Sequence, residues 1–67
     1  MSSTYQVADF TGEPIGEKIP CHGDIKEKAR RLEEGQYLYH HYRSGSAIYD
    51  DVYDHTGKLI DRESTHV

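Results

Sequence analysis

The chain has 67 residues, a formal net charge of -4 at pH 7 and a single cysteine. That length holds one domain, and the negative charge opposes direct binding to nucleic acid or to an anionic membrane surface. One cysteine excludes an internal disulfide framework and fits a reducing, cytoplasmic setting.

No stretch of about 18 apolar residues is present to cross a membrane. The segment MSSTYQVADF lacks the basic region and apolar run of a signal peptide. Mean hydropathy is -0.89, and aliphatic core formers are few. A domain this small buries only about 60% of its unfolded surface. Tyrosine must therefore fill much of the core, and a homodimer or a bound target would relieve the shortage.

In chain order, Met1 to Thr4 reads as a frayed tail and Tyr5 to Phe10 as a strand with apolar alternation. Thr11-Gly12-Glu13-Pro14 reads as a turn. Ile15 to Ile19 is a short returning strand weakened by Gly16, and Pro20 ends the pairing. Asp24 is a good N-cap, and Glu27 completes a capping-box-like spacing. Good helix formers run from there to Glu34, about three turns, with Ile25, Ala29 and Leu32 on one face. Glu27 with Arg31 and Arg30 with Glu34 are pairs four apart. Gly35 stands where a left-handed cap belongs.

The stretch Gly35 to Arg62 holds five of the six tyrosines and predicts a three-stranded meander. Ser44-Gly45 offers a two-residue loop, which sets Tyr42 opposite Ala47 and His40 opposite Tyr49. One face then carries Leu38, His40, Tyr42, Ala47, Tyr49, Asp51 and Tyr53. The other carries Tyr37, Tyr39, His41, Ile48, Asp50 and Val52. Asp54 and Gly57 suit a three-residue turn, pairing Asp54 with Lys58, Val52 with Ile60 and Asp50 with Arg62. The segment Tyr53-Asp54-His55-Thr56-Gly57-Lys58-Leu59 resembles one copy of the YD-repeat pattern of the RHS family, YDxxGxL. The resemblance covers seven residues, occurs once and implies a hairpin. Nothing else repeats, and Glu63 to Val67 reads as a second frayed tail. The expected fold is α+β, an antiparallel sheet in the order ββαβββ with one helix packed on one face.

Three constellations invite chemistry. Cys21, His22 and His40 contain zinc-ligand types, but not at the spacing of a finger or ribbon. Cys21 also precedes a helix start, which can activate a thiol, yet no base is aimed at it by sequence. The carboxylates around Asp50 and Asp51 read as a solvated acidic edge. No catalytic set and no cofactor is expected. Tyrosines on a sheet suit protein binding, because they give large contact area at low entropic cost. The candidate binding residues are Tyr39, Tyr42, Tyr49, Asp50, Asp51 and Tyr53. Tyr5, Tyr37 and Leu38 are expected to face the helix, and the exposed tyrosines to come from Tyr39, Tyr42, Tyr49 and Tyr53. The leading expectation is a small acidic, phage-like inhibitor that blocks a basic, nucleic-acid-handling protein partner. A structural homo-oligomer and a Cys/His metal module are the alternatives.

Overall fold

The computed structural model describes residues 3–66. Expectations for Met1, Ser2 and Val67 fall outside them. Along the chain run β1 (Thr4–Ala8), β2 (Ile19–Pro20), α1 (Ile25–Arg30), β3 (Tyr37–Ser44), β4 (Ala47–Tyr53) and β5 (Leu59–His66). The strands form one antiparallel sheet in the spatial order β2-β1-β3-β4-β5. The protein is mostly sheet, with one short helix lying on one face.

The returning segment after β1 pairs only at its ends. Pro14 bridges Ala8, Ile15 N–H donates to the Val7 carbonyl at 2.9 Å, and pairing resumes at Ile19–Pro20. Pro20 is the last residue of β2, where the strand pairing ends as expected. Its missing N–H is tolerated because β2 is the sheet edge.

The helix is shorter than its good formers suggest. Asp24 caps it, accepting from Lys26 N–H at 3.0 Å. Regular structure stops at Arg30, and Leu32 N–H reaches back only three residues, to the Ala29 carbonyl. Glu33 and Glu34 would place negative charge at the negative end of the helix dipole, which opposes extension. The tighter last turn also drives Leu32 onto the core. That core is Ala29, Leu38 and Tyr53, with Tyr5, Ile25 and Leu32 packed against it. The helical stripe Ile25, Ala29 and Leu32 therefore faces the sheet. Tyr37 does not join Tyr5 and Leu38 on this side, because it neighbours Leu38 on a strand and points the other way.

The β3–β4 loop is Gly45-Ser46 rather than Ser44-Gly45, so Tyr42 faces Tyr49 and Leu38 faces Tyr53. Gly45 has φ 61, and glycine with positive φ at the first loop position is the signature of a type II′ turn. Moving the loop by one residue moves each partner by two. The division of side chains between the two faces is therefore the expected one.

The β4–β5 turn closes as the spacing of Asp54 and Gly57 requires, with Asp54 N–H donating to the Lys58 carbonyl at 3.0 Å. Beyond it, the register shifts between Val52 and Tyr53. Tyr53 faces Leu59, Val52 faces Asp61 and Asp51 faces Arg62, leaving Ile60 as the extra residue of a bulge. The expected pairs Val52–Ile60 and Asp50–Arg62 are thereby replaced. Glu63 to His66, expected as tail, continue β5 opposite Ala47 to Asp50.

Candidate functional site

Asp9 and Asp54 open the same turn. Asp9 Oδ1 accepts from Thr11 N–H at 2.9 Å, the Thr11 hydroxyl at 2.6 Å and Glu13 N–H at 3.0 Å. Asp54 Oδ1 accepts from Thr56 N–H at 2.9 Å, the Thr56 hydroxyl at 2.6 Å and Lys58 N–H at 3.1 Å. Gly12 and Gly57 close the two turns at φ 88 and φ 86. The chain therefore contains an internal repeat after all, Asp-x-Thr-Gly-x, used twice. In each turn the threonine hydroxyl bond holds the aspartate carboxyl below its ordinary range, with burial opposing and backbone N–H donors assisting.

β1 and β4 both pair antiparallel with β3, so they run in the same direction on either side of it. Both turns consequently lie at one end of the sheet, two strand spacings or about 10 Å apart. Tyr37, the first residue of β3, lies between them. On the helix-free face this geometry makes an open groove of about 320 Å³, lined by Phe10, Thr11, Gly12, Tyr37, Tyr39, Val52, Ile60 and Asp61. A second groove of about 420 Å³ adjoins it through Tyr37 and Ile60, and adds Glu34, Gly35, Asp54 and His55. Phe10 is 79% exposed and Ile60 47%. The bulge in β5 turns both Ile60 and Asp61 into this groove, an instance of a bulge re-aiming side chains. Neither groove is lined by lysine or arginine.

The helix-side face beyond α1 carries a polar network instead. Asp51 is 1% exposed. Its carboxylate accepts from Arg62 Nε at 2.8 Å and Nη2 at 3.2 Å, and from the Tyr42 hydroxyl at 3.0 Å. His40, Tyr42 and Tyr49 stack in a row, with centroids 4.8 and 5.2 Å apart, and Arg62 lies over Tyr49. Burial raises the Tyr42 hydroxyl above its ordinary range, and the bond to Asp51 adds to the effect. Burial likewise raises Tyr53. The Asp51 bond holds Arg62 more firmly protonated. Burial lowers His40, with Asp51 opposing, and its Nε2 is buried without a partner among the described residues.

The six candidate binding residues are thus divided between two faces. Tyr39 and Asp50 lie on the open face, where Asp50 Oδ1 meets His41 Nδ1 at 2.7 Å. Tyr42 and Tyr49 form the stacked row on the helix side. Asp51 is buried beside them as the partner of Arg62, and Tyr53 is 6% exposed in the core. Tyr53 therefore leaves the expected exposed set, since its place opposite Leu38 puts it under the helix. Phe10, Thr11, Tyr37, Ile60 and Asp61 were not among the candidates. The repeated Asp-x-Thr-Gly-x spacing was the signal that could have found the groove walls. Cys21, His22 and His40 form no metal-binding group of three among the described residues.

Comparison with known protein families, with curated proteins and with solved structures finds no match. No described helix is long and apolar enough to cross a membrane.

Proposed function

We propose that this chain is a non-enzymatic protein-binding domain whose open face, at the twin-turn end, engages a basic protein partner. One observation carries the reading. An exposed aromatic and aliphatic groove is bordered by Glu34, Asp54 and Asp61, with His55 and with no lysine or arginine in its lining. Apolar contact area supplies affinity in such a surface, and acidic borders select a basic partner and speed its approach. A specific interface needs about 800 Å² per partner, roughly a sixth of the 4814 Å² this chain exposes. The partner must therefore cover the open face as well as the groove. A small acidic inhibitor of a nucleic-acid-handling protein, of the kind phages and mobile elements encode, fits those requirements.

The test is a tagged pull-down from host lysate at low and high salt. The expected result is a stoichiometric basic protein that washes off as salt rises. Recovery of the bait alone would overturn the reading. A second copy covering Phe10, Tyr39 and Ile60 is the competing reading, and it predicts a mass that rises with concentration.

A further inference from the structure

We infer that the groove between the twin turns takes an arginine side chain of the partner. This rests on the reading of the open face as the binding surface, and names what enters it. Phe10, Tyr37 and Tyr39 supply aromatic surface to a single groove, and Asp61 supplies a carboxylate. That carboxylate is held in place, because its Oδ1 accepts the backbone N–H of Arg62 at 2.9 Å. Glu34 and Asp54 border the adjoining groove and add negative potential. A guanidinium is planar, weakly hydrated and permanently charged, so it stacks on aromatic faces while pairing with a carboxylate. Lysine shares the charge but not the planar stacking.

The chain's own arginines are placed elsewhere. Arg62 is bound to Asp51, Arg31 to Glu27, and Arg43 Nε donates to the Gly45 carbonyl. Arg30 packs against Gly57. The fold therefore keeps its cations out of the groove and leaves its aromatic and acidic walls to an incoming one.

The experiment uses the whole chain and two probes, acetyl-Gly-Arg-Gly-Arg-Gly amide and the same peptide with citrulline for arginine. The readout is NMR titration of the aromatic ring protons. The arginine peptide is expected to shift Phe10, Tyr37 and Tyr39 and to leave Tyr42 and Tyr49 still. The Phe10→Ala/Tyr39→Ala variant is expected to weaken binding about tenfold or more. The folded state of that variant is checked by the unchanged resonances of Leu38 and Tyr53. Equal binding of the citrulline peptide, shifts confined to Tyr42 and Tyr49, or no shifts at about millimolar peptide would each overturn the inference. A pull-down partner retained by the double variant would also overturn it, while leaving the basic-partner reading standing. Peptide binding without any recovered partner would do the reverse.

Discussion

Asp51 offers the sharpest test of how this sheet is held. The side chain is 1% exposed and accepts three hydrogen bonds, two from Arg62 and one from the Tyr42 hydroxyl. A hydrogen bond to a charged group contributes about 1.5–3 kcal/mol. The Arg62 side chain is 51% exposed, so water compensates for much of what it loses and its share falls toward surface values. Asp51→Asn keeps an acceptor for Tyr42 but turns an amide N–H toward the guanidinium, and should cost about 2 kcal/mol. Asp51→Leu also strands the Tyr42 hydroxyl and should cost about 3 kcal/mol. A domain of this length holds only about 3 to 10 kcal/mol in all. The leucine variant therefore loses between about a third and all of that stability.

The assay is urea denaturation at neutral pH, followed by far-ultraviolet circular dichroism. Adding Tyr42→Phe to Asp51→Leu removes the stranded hydroxyl. The double variant should then be about 1 kcal/mol more stable than the two single changes imply. Two results would refute the reasoning. One is Asp51→Asn within about 0.5 kcal/mol of the parent, and the other is additivity within about the same margin.

Three further outcomes are expected. Gly57→Ala should destabilise more than Gly12→Ala, by about 1 kcal/mol or more in urea titrations. Both glycines have positive φ, but a Cβ at Gly57 would meet Arg30 Cγ at 3.0 Å and the Lys26 carbonyl at 3.1 Å, whereas at Gly12 the nearest atom is the Tyr39 hydroxyl at 3.7 Å. Stability should fall as pH drops from about 7.5 toward about 5.5, and His40→Phe should flatten that fall. His40 is lowered from 6.5 in the fold, so the unfolded chain binds the proton first and the native state loses ground below that value. Replacing Asp61 and Glu63 with threonine should raise the mass seen by light scattering, because it removes charges that oppose β5 pairing with itself.

How much of this was legible follows from the kind of signal each residue gives. The two sheet faces were readable because alternation is set by parity, and a loop displaced by one residue keeps parity. Asp54, Thr56 and Gly57 marked their turn by local chemistry alone, since aspartate and threonine bond the backbone within a few residues. The same residues at Asp9, Thr11 and Gly12 carry the same signal, but the expected turn Thr11 to Pro14 lies two residues late of the observed Asp9 to Gly12. The bulge at Ile60 was not readable. It depends on Asp51 finding Arg62 across the sheet, and local pairing favoured Asp50 instead. The helix end is not readable for a similar reason. Propensity favours Leu32 to Glu34 in a helix, while burial of Leu32 against Leu38 and Tyr53 requires the chain to turn. For the candidate site, Tyr39 was legible as an exposed aromatic. Phe10 was not, because an apolar residue in an alternating strand reads as core.

These elements together explain why the open face, rather than the sheet edge, is the surface for which we propose recognition. β5 is a long edge, and a long edge invites another strand. Its outer side is guarded, however. Asp61 takes the backbone N–H of Arg62 for its own carboxylate. Pairing about a two-fold axis normal to the sheet keeps side chains on their own face. Registers centred on Asp61, Arg62 or Glu63 then set each of those charges against its own copy, which is unfavourable. At the opposite edge β2 offers only two residues, one of them Pro20. What stays open is the helix-free face, with Phe10 exposed on one turn and half-buried His55 lining the groove on its twin. Two of the five positive-φ glycines, Gly12 and Gly57, and the bulge at Ile60 shape that end of the sheet. A chain selected only to stay folded would gain from burying Phe10 and Ile60. Their exposure beside three carboxylates is the reason to assign recognition there.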